Sequence, residues 1–344
     1  MDFDARLRAQ VARATGHPVP DAPVKRLKQD ASNRSYFRIG VPPHSWVAMV
    51  MPPDVTRKSE EVQKGAPPRE LPFVNVHRYL KSIGVRVPQV LHYDESAGMM
   101  VLEDLGDLTF ENALRSRPPE ELYSKAIDLL ARLRFQAERH PDRDCIAFTR
   151  AFDEDLYEWE LHHFREYGLE IWSGQTLRGA ERERLNQIFR RISEELAAVP
   201  RGFTHRDYQS RNLMVTDGEI AVIDFQDALL GPRQYDLVAL LRDSYVELDR
   251  SFVDRMLDRY LEVFARLSGE RTDSVPFKAL FDLLTVQRKL KDAGRFEYIH
   301  RVKGNPDFLV SIPASLRYVR DALDRLPQLA ELREIVGKYV PELR

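Results

Sequence analysis

FTHRDYQSRNLMVTDGEIAVIDF, residues 203–225, combines a polar loop with two short apolar runs. Asp207 lies in the loop, Asn212 follows it five residues later, and Asp224 closes the second apolar run. The Asp-Gly pair at 217–218 separates the two runs and is a strong signal for a two-residue β-hairpin. Because the outer ends of a hairpin meet at one edge, we expect Asn212 and Asp224 to lie close together. The stretch therefore predicts a polar site at the open end of a β-ribbon.

Phosphoryl transfer is a reaction that needs these side chains. The phosphoryl group passes through a loose transition state, so an enzyme mainly orients the attacking hydroxyl and holds metal ions against the phosphate charge. Asp207 is suited to accept the hydroxyl proton, and Asn212 and Asp224 offer the hard oxygen ligands that Mg²⁺ prefers. We therefore predict a magnesium-dependent phosphotransferase with Asp207 as catalytic base and Asn212 and Asp224 as metal ligands.

Composition excludes several other classes of protein. The chain has 344 residues, 43% of them hydrophobic, which is enough to bury a sizeable core in two lobes. Its net charge of −2 gives no general attraction to nucleic acid or to an anionic membrane. The first residues lack the pattern of a signal peptide, and no apolar stretch approaches the length that spans a bilayer. We expect a cytoplasmic protein without a nucleic-acid, membrane or obligate protein partner.

The periodicity of apolar residues changes near residue 105. Before it, short strand-like segments dominate, with one helical pattern from Phe73 to Ile83; after it, long helical patterns dominate, interrupted by the hairpin. The predicted strands are Val24–Lys28, Ser35–Ile39, Trp46–Met51, Val87–Tyr93 and Met99–Glu103; the predicted later helices include Tyr235–Leu248, Phe277–Leu290 and the tail from Pro327. This predicts an α+β chain with a β-rich lobe, 1–105, and a helical lobe, 106–344.

The central stretch resembles the aminoglycoside phosphotransferase-like kinases, small-molecule relatives of the protein kinases. His205, Asp207 and Asn212 match the family's H-x-D-x-x-x-x-N loop, and Ile223-Asp224-Phe225 matches its magnesium-binding strand end. The resemblance implies a two-lobed, protein-kinase-like fold with ATP and Mg²⁺ as cofactors. It implies that residues 1–105 form the nucleotide-binding lobe and residues 106–344 the catalytic and substrate-binding lobe.

Two further acidic residues follow the hairpin. The run Gly231–Leu237 resembles the segment that leads into the family's next helix. We expect Asp236 to cap that helix and to brace the catalytic loop through hydrogen bonds. Asp227 has two open interpretations, because it either binds substrate or satisfies local backbone donors.

The same resemblance implies the nucleotide contacts. It places the turn between the first two strands, with Ser32, Asn33 and Arg34, over the nucleotide phosphates, and it assigns adenine to backbone groups of Glu103 and Leu105. One feature departs from the family pattern, because the third strand, Trp46–Met51, contains no Lys. The candidates for a replacement cation are Arg34, Arg38 and Lys58, and the sequence does not choose among them. A non-catalytic nucleotide-binding protein therefore stays open.

The sugar-binding residues are predicted from two segments of the helical lobe, residues 158–167 and 287–303. The second segment concentrates positive charge, which repels a polycationic aminoglycoside and attracts a sugar that bears a carboxylate. A solvated basic helix face is the alternative. The candidate substrate contacts are Glu160, Arg288 and Lys291 from these segments, together with Arg211 from the 203–225 stretch.

Motifs from about residue 24 to 320 resemble the branch that contains the anomeric N-acetylmuramate/N-acetylglucosamine kinases. This resemblance implies a small-molecule sugar substrate, phosphorylated by ATP at its C1 hydroxyl to give sugar 1-phosphates for peptidoglycan recycling. An aminoglycoside or amino-alcohol phosphotransferase is the enzymatic alternative.

Overall fold

A computed structural model describes residues 2–27, 34–51 and 70–344 of the chain. Its contacts divide the chain into two compact units, Met1–Thr109 with Leu213–Gln226, and Phe110–Asn212 with Asp227–Arg344. The first unit is therefore discontinuous in sequence, because the hairpin after Asn212 belongs to it. The simpler division at residue 105 stays a prediction.

The helices and strands of the described residues follow one another along the chain. In chain order they are α1 (Phe3–Thr15), β1 (Val24–Arg26), β2 (Ser35–Val41), β3 (His44–Val50), α2 (Pro72–Ser82), β4 (Val90–Asp94), β5 (Met99–Glu103), α3 (Phe110–Ala113), α4 (Pro119–Arg139), α5 (Glu154–His163), a π-helix (Phe164–Ile171), α6 (Gly179–Ala197), β6 (Gly202–Thr204), β7 (Leu213–Thr216), β8 (Glu219–Val222), β9 (Leu229–Gly231), α7 (Gln234–Leu241), α8 (Arg250–Ser268), α9 (Ser274–Lys303), α10 (Ile312–Leu323) and α11 (Ala330–Tyr339).

The first unit is built on a five-stranded antiparallel sheet with the order β1-β2-β3-β5-β4. Helix α1 covers one face, where Leu7 and Val11, four residues apart on one side of the helix, pack against Ile39 and Val101. The predicted strands and the hairpin of β4 and β5 are confirmed, although β4 begins at Val90 rather than Val87.

Strands β7 and β8 form the predicted two-stranded ribbon, with Leu213 opposite Val222. Its turn has positive φ at Asp217 and Gly218, 51° and 80°, the conformation that a type I′ turn requires. Main-chain hydrogen bonds attach the ribbon to the rest of the first unit: the amide of Val215 donates to Leu108 at 2.8 Å, and the amide of Val222 donates to Arg86 at 2.8 Å.

The ribbon turn yields a first prediction. Replacing Gly218 with Ala is expected to lower the free energy of unfolding by about 1 kcal/mol, because an L-side chain is strained at this positive φ. Gly179, the first residue of α6, is the matched control, since its φ is not positive and a Cβ there meets no atom within 4 Å. Urea denaturation of both variants measures the difference; equal stability of Gly218→Ala and the wild type would contradict the prediction.

The second unit is mainly helical and is organised around α9, which packs against α5, the π-helix, α7 and α10. The predicted helix Phe277–Leu290 is shorter than α9, which continues to Lys303 and is capped by Gly304 with φ 70°. The predicted helix Tyr235–Leu248 is longer than α7, which ends at Leu241. Within the described part of the chain, no helix combines the length and the apolar character needed to cross a membrane.

Candidate active site

The loop after β6 is fixed by a buried carboxylate of α7. The amide N–H groups of His205 and Arg206 donate to the two oxygens of Asp236, at 2.7 and 2.9 Å. Burial raises the pKa of Asp236, and the interactions with the loop oppose that rise. The predicted bracing role is confirmed. The capping role is wrong, since α7 has no side-chain cap and Asp236 is its third residue.

Arg206 adopts a left-handed backbone conformation with φ 79°, which is strained for a residue with a side chain. Its guanidinium contacts Glu160 at 3.3 Å, and the amide group of Gln287 donates to the other Glu160 oxygen at 2.7 Å. Glu160 has no exposed surface. Glu160 of α5, oriented by Gln287 of α9, therefore fixes the side chain of the strained Arg206. Glu160 itself lies in the protein interior beneath the loop.

Asp207 is partly exposed, with 31% of its side-chain surface accessible. Arg288 of α9, which is 2% exposed, lies 3.4 Å from the Asp207 carboxylate and donates to the carbonyl of Arg206 at 2.8 Å. The side-chain amide of Asn212 donates to the carbonyl of Asp207 at 2.9 Å. The structure thus brings Asp207, Asn212 and Arg288 together in the second unit.

The other cations at the centre of α9 are also buried. Lys289 contacts Asp292 at 2.7 Å, and Lys291 contacts the second oxygen of the same carboxylate at 3.3 Å. Burial alone raises the pKa of Asp292, but Lys289, Lys291 and Arg288 together hold that pKa well below its usual value. Burial lowers the pKa of Lys289, and Asp292 opposes the change. For these residues, the interpretation as a solvated basic helix face is wrong.

The far end of the loop is held by a residue that the sequence analysis missed. Asp243, 1% exposed, accepts a hydrogen bond from the amide of Ser210 at 2.8 Å. Its only sequence signal is its position seven residues after Asp236 within the predicted helix Tyr235–Leu248, where residues seven apart would share a face, although α7 itself ends before Asp243. Arg211 contacts Glu111 at 2.8 Å and lies 3.5 Å from the centre of the Tyr245 ring.

In the first unit, Asp224 follows β8 with a left-handed φ of 62°. Its carboxylate accepts a hydrogen bond from Gln226 at 2.8 Å. Burial raises the pKa of Tyr36; the charge of Arg34 and, to a lesser extent, its hydrogen bond oppose the rise, and the charge of Asp224 adds to it. The charges of Arg34 and Asp224 therefore both act on the Tyr36 hydroxyl, and they change its pKa in opposite directions.

Arg38 is committed to two carboxylates of the segment that follows β5. Its guanidinium donates to both oxygens of Asp104, at 2.6 and 2.9 Å, and to Asp107 at 2.8 Å. Arg38 is 6% exposed. This ion-pair network ties β2 to residues 104–107 and engages three of the guanidinium nitrogens. Lys58, a further candidate for the missing strand Lys, lies outside the described residues, as do Ser32 and Asn33.

The two predicted adenine contacts lie at the end of β5. The amide of Glu103 donates to the carbonyl of Gln89 at 2.9 Å, and its carboxylate binds Arg86. Leu105 packs with Met214, Ala221 and Ile223. The segment is therefore anchored on both sides by contacts within the first unit.

The oxygen atoms of Asn212 and Asp224 are ligands of the kind that a magnesium ion prefers. Among residues 2–27, 34–51 and 70–344, no three His, Cys, Asp or Glu side chains are grouped to share a metal. Mg²⁺ is usually held by only one or two protein carboxylates together with phosphate oxygens. Asn212 directly precedes Leu213, and Asp224 follows its partner Val222 by two residues, so chain connectivity brings both to one end of the ribbon.

Comparison with known proteins identifies relatives along nearly the whole chain. Residues 23–270 match the phosphotransferase enzyme family. The N-acetylmuramate/N-acetylglucosamine kinase of Pseudomonas aeruginosa is 34% identical over 93% of this chain and 89% of its own length. The kinase of the same name from Neisseria meningitidis is 33% identical over 95% and 93%. Choline kinase of Streptococcus pneumoniae has a similar fold, with a TM-score of 0.62, 13% identity and coverage of 95% and 99%.

Proposed function

Because this chain belongs to the phosphotransferase enzyme family, we propose that it transfers the γ-phosphoryl group of ATP to the anomeric C1 hydroxyl of N-acetylmuramate and N-acetylglucosamine. The observation that carries the proposal is the loop geometry, in which a partly exposed Asp207 is held beside a buried Arg288. Use of ATP favours a location in the cytoplasm.

Asp207 is the proposed catalytic base. The C1 oxygen of the sugar attacks the γ-phosphorus, the bond from that phosphorus to the β,γ-bridging oxygen breaks, and ADP leaves with the bond's electron pair. The hydroxyl proton passes to Asp207. An anomeric hydroxyl is more acidic than an ordinary alcohol, so Asp207 mainly orients it and takes the proton late.

Asn212 and Asp224 are the proposed ligands of Mg²⁺. When bound, the ion neutralises charge on the phosphate oxygens. The Asn212 side chain is oriented by the hydrogen bond that it donates to the carbonyl of Asp207. The Asp224 carboxylate is oriented by the hydrogen bond that it accepts from Gln226. Oxygen donors held in this way suit a hard cation.

Arg34 is the proposed replacement for the absent strand Lys. Arg34 and Asp224 both affect the pKa of Tyr36, which indicates that both side chains lie near that hydroxyl. This supports the choice of Arg34, because the replacement cation must lie near the proposed magnesium ligand. The commitment of Arg38 to Asp104 and Asp107 argues against the alternative. With Ser32 and Asn33, Arg34 would cover the nucleotide phosphates, and backbone groups of Glu103 and Leu105 would contact adenine.

The predicted sugar contacts divide into two groups. Glu160 and Arg288 are buried and bonded to the loop, which supports a role in positioning Asp207 rather than in touching sugar. Arg211 has one third of its side-chain surface exposed and stays a proposed sugar contact, whereas the burial of Lys291 against Asp292 supports a structural role for that residue.

A substrate panel tests the proposed function. We expect magnesium-dependent ADP release with N-acetylmuramate and N-acetylglucosamine, and none above background with kanamycin or choline. The phosphorus NMR spectrum of the product should show coupling to the anomeric proton, which identifies C1 as the acceptor. Turnover of kanamycin or choline with neither amino sugar would overturn the proposal, and an absence of turnover together with ATP binding would favour a non-catalytic protein.

A further inference from the structure

A group of partly exposed aromatic side chains lies on α5, the π-helix and α9. We call it the α9 platform, and it consists of Trp159, His163, Tyr167, Arg295 and Tyr298. The His163 ring lies 5.4 Å from Trp159, 4.8 Å from Tyr167 and 5.1 Å from Tyr298, and the Arg295 guanidinium lies 4.9 Å from the Tyr298 ring. Trp159 is 41% exposed. Binding sites for small molecules are typically lined by aromatic rings with a few polar groups.

The platform depends on a close approach between two helices. A Cβ on Gly294 would lie 2.7 Å from the Cα of Phe164, and a Cβ on Gly168 would lie 3.1 Å from the amide nitrogen of Gly294. Glycine at both positions lets the π-helix lie directly against α9, so that Tyr167 meets Tyr298. Short π-helical segments occur frequently at functional sites.

The platform shares a face of α9 with the residue that holds the catalytic base. With 3.6 residues per turn, positions 288, 291, 295 and 298 lie on one side of the helix. Arg295 is seven residues from Arg288, a rise of about 10 Å along the axis. A monosaccharide with its reacting hydroxyl near Asp207 could therefore reach the guanidinium of Arg295 with its other end.

Arg295 differs in burial from the other cations near the centre of α9. Arg288, Lys289 and Lys291 are buried against Asp207 or Asp292. Arg295 is half-buried and stacks on an aromatic ring. A stacked guanidinium still directs its N–H groups outward in the plane, where a carboxylate is bound by two parallel hydrogen bonds.

We infer that the α9 platform is the specificity site of this enzyme, where Arg295 binds the lactyl carboxylate that N-acetylmuramate has and N-acetylglucosamine lacks. The aromatic rings pack against the apolar face of the sugar, which the two substrates share. This inference rests on the proposed function, because it assigns the part of the acceptor that lies away from the reacting C1 hydroxyl.

Arg295→Met tests the inference because it keeps the packing over Tyr298 and removes the charge. We expect kcat/KM for N-acetylmuramate to fall about 10- to 100-fold, mainly through KM, since a charge-assisted hydrogen bond is lost. The value for N-acetylglucosamine should stay within about 3-fold of the wild type. Arg295→Lys keeps the charge without the two-pronged geometry and should give an intermediate loss on N-acetylmuramate alone.

Arg301→Lys is the matched control for Arg295→Lys, because Arg301 lies on the same helix and is 55% exposed, and a lysine keeps the positive charge that pairs with the buried Glu297. It should leave both substrates unchanged. An equal loss on both sugars in Arg295→Met and Arg295→Lys, or no loss on either, would overturn the assignment of Arg295. If the wild-type enzyme phosphorylates neither sugar, the proposed function itself fails and the inference fails with it, so the two failures are distinguishable.

Discussion

Replacing Asp207 with Asn is expected to lower kcat by about 1,000-fold while ATP binding and the fold are retained. General acid–base groups typically contribute about 10²- to 10⁴-fold to the rate. Asn keeps the shape of the side chain and an oxygen facing Arg288, but it cannot take the hydroxyl proton. Single-turnover measurements with N-acetylmuramate give the rate, and calorimetric titration with ATP gives the affinity.

Asp258→Asn provides the control for charge removal alone. Asp258 pairs with Lys278 on the surface and is 50% exposed, so its loss should change neither the rate nor the affinity for ATP. Activity of Asp207→Asn within about 10-fold of the wild type would show that the base has been assigned to the wrong residue.

Local signals explain why part of the site is predictable from the sequence. The Asp-Gly turn and its flanking apolar runs encode the β7–β8 ribbon without help from distant residues, and the observed positive φ values agree with that reading. The bracing role of Asp236 follows from its place in a recognisable segment. Its failure to cap α7 has a physical reason, since both carboxylate oxygens accept hydrogen bonds from the loop.

The remainder depends on contacts between residues far apart in the sequence. The predicted helix stops at Leu290, within a run of charged residues from 288 to 292 that resembles the polar end of a helix. In the structure Asp207, 81 residues away, and the adjacent Asp292 neutralise these cations and allow α9 to continue. Likewise, nothing near Glu160 in the sequence indicates that Arg206 and Gln287 enclose it.

Arg288→Met is expected to reduce both stability and kcat, because Arg288 is the buried link between α9 and the catalytic loop. Its removal leaves Asp207 without its cation and the carbonyl of Arg206 without its donor. Leaving the buried carbonyl of Arg206 without its donor typically costs about 1–3 kcal/mol of unfolding free energy. We expect kcat to fall at least about 10-fold with KM for the sugar changed little, since Asp207 is misplaced while the acceptor's other contacts remain.

Arg288→Lys separates charge from geometry, because a lysine retains the positive charge but cannot bond the carbonyl and the carboxylate in the same fork. It should recover most of the stability and only part of kcat. Lys278→Met, on the same helix but in a surface pair, should change the unfolding free energy by no more than about 0.5 kcal/mol. Urea denaturation and steady-state kinetics measure both quantities. A raised KM for the sugar with kcat unchanged would contradict the positioning role and return Arg288 to the sugar contact that the sequence predicts.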